Sequence, residues 1–339
     1  MAFFKRRRNF SSSFSISSEE DLYEFQCLSS NDYRNPCRER VILTKDIYLD
    51  PEMSRIRPWK AINEFAGEFE GNGHCISGLF FDDPSITCVG FFGSVREGGI
   101  VSNLRIQDSY FSGDCYVAGI VGFNEGLVQN CSFSGTIKAQ RYSGGIVGTN
   151  NSRVINCKNE GRVRVALCMG GGVVGQNQGY GYIEMCYNCG EVTGDHEWIG
   201  GIAGTCEGKM NRCFNRGKVS AKNEVGGIIG SHFSSCGICY DCRNFGSISG
   251  KGRVGGVIGY NNESGILNNC CNLGEVSGSE VFGAIAGSNI GTIRNCFYLI
   301  NDKNVKGTGN APDNNDIKAV EKPEMMPDEK YSSREQFLF

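Results

Sequence analysis

Apolar residues along this chain come in short blocks, broken by glycine and asparagine, at a fixed period. One block reads apolar, two small residues, two apolar residues, then glycine. It occurs as Val117-Ala-Gly-Ile-Val-Gly122, Ser143-Gly-Gly-Ile-Val-Gly148, Gly170-Gly-Gly-Val-Val-Gly175 and Ile199-Gly-Gly-Ile-Ala-Gly204. It continues as Val225-Gly-Gly-Ile-Ile-Gly230, Val254-Gly-Gly-Val-Ile-Gly259 and Phe282-Gly-Ala-Ile-Ala-Gly287, with a degenerate first copy at Cys88-Val-Gly-Phe-Phe-Gly93. A cysteine row keeps the same step: Cys131, Cys157, Cys186, Cys213, Cys242, Cys270 and Cys296, with Leu104 in the equivalent place of the first copy. Three residues before each lies an apolar residue: Val128, Val154, Ile183, Met210, Cys239, Leu267 and Ile293. Two asparagine rows run alongside. One follows the cysteines by two residues (Asn159, Asn188, Asn215, Asn244, Asn272), and each of its members is followed two residues later by glycine. The other follows the glycine motif: Asn124, Asn150, Asn177, Cys206, His232, Asn261 and Asn289.

Runs of two to four β-prone residues are too short to stand alone, but stacked copies bury one continuous core. The pattern predicts an all-β fold, a parallel β-solenoid of about eight rungs of 26–29 residues with small terminal caps. At about 4.8 Å per strand this is a rod roughly 40 Å long. The glycines are expected to supply positive φ and close packing of rungs. The asparagines are expected to fill turns and to bond to one another along the axis. The seven prolines, at 36, 51, 58, 84, 312, 323 and 327, all lie outside the repeats, where a missing N–H would break the ladder. The chain divides into a flexible basic, Ser-rich tail (1–16), an N-terminal cap with lead-in strands (17–87), the solenoid (88–300) and a polar C-terminal tail or cap (301–339). Ser17 and Ser18 before Glu19 and Glu20 read as a helix start. Val41–Tyr48 reads as a strand followed by a loop through Pro51 and Pro58, and Pro323–Phe339 as a short helix.

Composition narrows the function. Lys+Arg 34 against Asp+Glu 37 gives a net charge of −3, without the basic excess of a nucleic-acid binder. No run of about 20 apolar residues exists, so the reading is no membrane span. The basic Met1–Arg8 segment is followed by a polar Ser-rich stretch, not by the apolar run of a secretory signal. Gly 48 and Cys 18 are high and His 3 is low. So many cysteines, read as mostly unpaired, favour a reducing or anaerobic setting.

These repeats resemble the bacterial GLUG-type glycine-rich repeat proteins, which are adhesin-like and also accompany some IgA-specific metallopeptidases. The lead-in is similar too: Trp59-Lys-Ala-Ile-Asn63, then Phe69-Glu-Gly-Asn-Gly-His74 ending at Gly78-Leu79, after the strand Val41–Asp46. Ala61, Asn63 and Glu70 depart conservatively from the pattern. The resemblance covers about 14–300 and implies a β-solenoid with a surface or binding role; it does not imply an enzyme. It implies a cell-surface or secreted protein, whereas the sequence itself leaves a cytoplasmic location open.

The repeat register bears on each motif that could carry chemistry. Cys236-x-x-Cys239-x-x-Cys242 and Cys186-x-x-Cys189 have metal-ligand spacing. Yet Cys242 and Cys186 belong to the cysteine row, Cys239 replaces an apolar residue, and Cys189 falls at a variable position. The row of seven is therefore read as a structural core ladder, with no metal and no cofactor. His196-Glu197-Trp198-Ile199-Gly200 lacks the second histidine of a zinc-protease motif. Gly250-Lys-Gly-Arg-Val-Gly255 falls across the repeat's glycine motif and not between a strand and a helix. His74 reads as a turn residue of the lead-in, and His232 as a turn residue replacing an asparagine of the row. Tyr180, Tyr182, Tyr187, Trp198, Phe214 and Tyr240 fall in consecutive middle repeats and are candidate ligand-face aromatics. The expected function is a non-catalytic binding, adhesion or scaffold module engaging a glycan or protein along one face. The alternative is a carbohydrate-active β-helix enzyme, a lyase or glycosidase, which requires carboxylates or basic residues clustered in a cleft beside those aromatics.

Overall fold

The computed structural model describes residues 13–28, 34–232, 237–300, 305–311 and 316–321. The chain winds into a β-solenoid with three faces, and every strand pairing is parallel. The first face has eleven strands, from Phe14–Ile16 to Thr292–Arg294. The second has eight, from Phe92–Val95 to Ala286–Asn289. The third runs from Ile47–Tyr48 to Ile317–Val320. Each residue pairs with its counterpart one coil away. On the first face this gives an inward column: Phe14, Val41, Phe69, Val101, Val128, Val154, Ile183, Met210, Cys239, Leu267 and Ile293.

The stack is thus about ten turns, more than the eight counted from the glycine motif. The first coils lack that motif and the cysteine but carry the apolar column, so they pair like the rest. Phe14–Ile16, expected within the tail, is the first strand of the first face. Ile317–Val320 adds a strand beyond the last repeat. The expected strand Val41–Tyr48 is two, Arg40–Leu43 and Ile47–Tyr48, on different faces. Where a loop was expected after Pro51 there is a short helix, α2 (Pro51–Ile56), whose first N–H groups, on Glu52 and Met53, donate to Asp50 Oδ1 at 2.9 Å. The predicted helix start is present: helix α1 spans Glu19–Leu28, with Asp21 N–H donating to Ser18 Oγ at 3.2 Å. Helix α1 closes the N-terminal end of the core. Its Leu22, Tyr23 and Phe25 are buried, and the Phe25 ring sits 6.0 Å from Phe14, 6.0 Å from Phe69 and 6.2 Å from Phe65. The expected helix over 323–339 lies outside the described residues.

Glycine does not make the corners. The residue immediately before each cysteine-row position is left-handed and is not glycine: Asn103, Asn130, Asn156, Met185, Arg212, Asp241, Asn269 and Asn295, with φ between 48° and 55°. A second set of left-handed corners falls on Cys88, Tyr116, Tyr142, Met169, Trp198 and Glu224. Among the described glycines only Gly73, Gly78, Gly98 and Gly135 have positive φ. The motif glycines are there because backbone from the next wall or rung occupies the place of a Cβ.

Inside, all seven row cysteines are at most 1% exposed. Each thiol donates to the carbonyl two residues before it, from Cys131 to Gln129 at 3.2 Å through Cys296 to Arg294 at 3.3 Å. The third-face asparagines are equally buried. Their Nδ2 groups donate to the next rung's Oδ1 at 2.8 Å, from Asn159 through Asn188, Asn215 and Asn244 to Asn272. Each also bonds its own Gly two residues on through both N–H and C=O, which explains the Asn-x-Gly spacing. An amide can satisfy both demands at once because it carries two donors and an acceptor.

The second asparagine row is interrupted by Cys206 and His232. His232 is fully buried; its Nδ1 lies 2.7 Å from Asn261 Oδ1, while its Nε2 has no hydrogen-bond partner among the described residues. Asn261 Oδ1 is an acceptor, so Nδ1 carries the proton. Burial pushes the imidazole pKa down to about 4. The unfolded chain takes up a proton near pH 6.5, which the native ring refuses until far lower pH. This contribution is present above that range and is lost as pH falls through it, roughly 2 kcal/mol between pH 7 and 5. Urea midpoints at the two pH values should differ more for the wild type than for His232→Asn, which restores the amide row; equal shifts would refute the assignment.

Candidate functional site: a groove along one corner

A groove of about 980 Å³ runs along the corner between the first and third faces. Strand register dictates its floor. Arg105, Ser132, Lys158, Tyr187 and Phe214 are successive partners on the third face and form one outward row over five rungs. At about 4.8 Å per rung the row is ~19 Å long. Tyr187 and Phe214 stack with ring centroids 5.3 Å apart and planes 12° from parallel. Burial, with nearby thiols, pushes the Tyr187 hydroxyl pKa up to about 12, so it stays neutral.

The left-handed corner residues form one wall. Asn156 Nδ2 donates to Asn130 Oδ1 at 2.8 Å, and Asn130 Nδ2 to Asn103 Oδ1 at 3.0 Å. Asn103 Nδ2 in turn donates to both oxygens of Glu70, at 2.9 and 3.0 Å. Glu160, Cys189 and Arg216 make the opposite wall. Lys158 Nζ pairs with Glu160 at 2.8 Å, and the Arg216 guanidinium lies 5.7 Å from the Phe245 ring centre. The result is an open trough with an amide rail, a mixed-charge half and an aromatic half. It suits a chain of alternating polar groups and flat apolar faces.

Of the six aromatics singled out in the sequence, only Tyr187 and Phe214 line this groove. Phe214 shows just 8% of its surface, being covered along the row. Tyr182 and Tyr240 meet elsewhere, on the first face, with Asn211 between them. Trp198 is the left-handed corner residue of the third-face strand Glu197–Gly200, where its indole bonds the buried Glu224 carboxylate. Tyr180 stands alone in a turn at 88% exposure. The floor residues Arg105, Ser132 and Lys158 were not foreseen, since the row changes residue type at every rung. The asparagine rail had a signal, Asn directly before Cys in several repeats, which went unused.

Among the described residues, no group of three His, Cys, Asp or Glu side chains is placed to hold a metal ion. Cys186 is buried and Cys189 exposed, so that C-x-x-C pair divides between core and surface. Cys236 lies outside the described residues. Gly250–Gly255 lies on third-face strands with no helix after it. His74 Nδ1 bonds Asp46 Oδ1 at 3.1 Å within the lead-in turn. The two carboxylates of the groove, Glu70 and Glu160, sit three rungs apart by register, ~14 Å, whereas paired-carboxylate glycosidases hold theirs within about 10 Å. No helix among the described residues is long and apolar enough to cross a membrane.

The family described as "The GLUG motif" matches residues 113–138, the coil that holds Gly122, Asn124 and Cys131. The chain carries a GLUG motif. Two relatives share part of it. Halomucin of Haloquadratum walsbyi is 37% identical over 73 residues, 22% of this chain and 1% of halomucin. A candidate Gly-rich membrane protein of Evansella cellulosilytica is 33% identical over 92 residues, 25% of this chain and 10% of that protein. The GLUG-bearing chain thus spans a small part of these relatives' length. A crystal structure of a candidate immunoglobulin A1 protease from Bacteroides ovatus aligns over 93% of this chain and 79% of its own, at 17% identity and a TM-score of 0.40.

Proposed function

We propose that this GLUG-motif solenoid is a non-catalytic binding module and that its corner groove holds a linear glycan along the rod axis. The observation that carries this is the placement of the stacked Tyr187–Phe214 pair in line with the Asn103–Asn130–Asn156 rail. Aromatic faces bind the apolar faces of sugars, and an amide rail offers donors and acceptors to hydroxyls without charge. Stacked rungs hold both, so little ordering opposes binding. A surface role, as the GLUG resemblance implies, places such a module where glycans are met.

Isothermal titration against a panel of soluble linear polysaccharides tests the reading. At least one should bind, and Tyr187→Ala should weaken it tenfold or more. Tyr180→Ala, outside the groove, should leave binding unchanged. Loss of affinity on Tyr180→Ala with none on Tyr187→Ala would move the site off the groove, and cleavage of the bound polymer would replace binding with catalysis.

A further inference from the structure

One core thiol departs from the pattern of the others. The row cysteines each donate to a carbonyl of their own strand, and the sulfur of one rung sits against the backbone of the next: Cys157 N–H donates to Cys186 Sγ at 3.5 Å and Cys213 N–H to Cys242 Sγ at 3.4 Å. Adjacent row thiols also interact side chain to side chain, as Cys242 does with Cys213 and Cys270, and Cys239 joins that network through Cys242 and Cys270. Cys239 enters the core from the first face, at a position where all ten other rungs carry Phe, Val, Ile, Met or Leu. Its Sγ lies 3.7 Å from Cys270 Sγ, one coil on and from the adjoining wall, and Cys270 Sγ is 3.6 Å from the Cys239 carbonyl oxygen. The two side chains converge, and closing to a bond near 2.05 Å asks for an approach of about 1.7 Å.

We propose that Cys239 and Cys270 are a redox modification site, forming a cross-rung disulfide when the protein meets hydrogen peroxide. One thiol takes an oxygen from the peroxide, giving a sulfenic acid and a molecule of water. The second thiol then attacks that sulfur, forming the S–S bond and releasing a second water. Two electrons and two protons leave the thiols and reduce the peroxide. Both sulfurs are fully buried, so the oxidant must be small and must act when a rung opens. The product ties one wall of a coil to the adjoining wall of the next, so that coil can no longer unwind.

The test uses the full chain and hydrogen peroxide, added until exposed Cys27 and Cys189 are oxidised, then removed with catalase. Free thiols are alkylated in urea and the peptides mapped by mass. The expected product links Cys239 to Cys270 and leaves the other six row cysteines alkylated. Its urea midpoint is higher than that of the reduced protein and returns with dithiothreitol. Cys239→Val, which restores the residue type of the other rungs, should abolish the link and the midpoint shift; Cys270→Ala should do the same should that variant not fold. Recovery of Cys239 and Cys270 both alkylated, or Cys270 linked to Cys242 or Cys296, overturns the proposal.

Discussion

Cys242→Asp should abolish a cooperative native transition, at a cost above about 4 kcal/mol. Cys242 is fully enclosed between Cys213 on the rung before it and Cys270 on the rung after. A carboxylate there is cut off from solvent and surrounded by thiols and apolar side chains, so it is buried either charged and unpaired or protonated against its preference. Size alone matters much less: Cys213→Ala removes one sulfur from the same row and should cost about 1 kcal/mol or less. Cys189→Asp, on an exposed side chain three residues from the row, should change stability by no more than about 0.5 kcal/mol. Urea midpoints of the three variants under reducing conditions decide the matter. Comparable damage from Cys189→Asp and Cys242→Asp would mean that the inward and outward assignments are wrong.

Gly226→Ala should be among the most harmful methyl groups that can be added to a repeat, costing about 3 kcal/mol or more. A Cβ at Gly226 would stand 1.8 Å from the Ile229 carbonyl oxygen and 2.9 Å from the Gly259 nitrogen. Both are backbone atoms, one on the same rung and one on the next, and neither can rotate aside. The rungs must part, and the ladder bonds with them. Gly179→Ala is the contrast: nothing lies within 4 Å of the added carbon, and the backbone there is not left-handed. It should be neutral or stabilising by up to about 1 kcal/mol, because the unfolded chain loses freedom. Thermal unfolding of the two variants gives the sign and size of each effect.

The period, the parallel stacking and the inward cysteines were legible because each recurs at nearly every rung. The first coils were not. Phe14, Val41 and Phe69 continue the column but have neither glycine block nor cysteine beside them, so only their spacing betrays them. Corner conformation was misread for a physical reason. Composition suggests that glycine takes positive φ, but here the glycines are consumed by close approach, and Asn, Tyr, Met and Trp turn the chain. The groove was half legible. Tyr187 and Phe214 stood out as aromatics, but their union with Arg105, Ser132 and Lys158 depends on register alone, because residue identity along the row follows no repeat.

The largest fully buried side chains all lie in the first part of the stack, up to Phe133; beyond it the core is built mainly of Cys, Val, Ile and Ala, with Met210 and Leu267. Lineages can therefore lengthen or shorten this rod most easily by whole-coil duplication or deletion within 157–272, where neighbouring rungs are near-interchangeable. A coil moved across the aromatic boundary would meet a cross-section of the wrong size. The direction of the chain is thus written into its interior as a gradient of bulk, and recombination between unequal repeats should leave its junctions on the thiol-lined side.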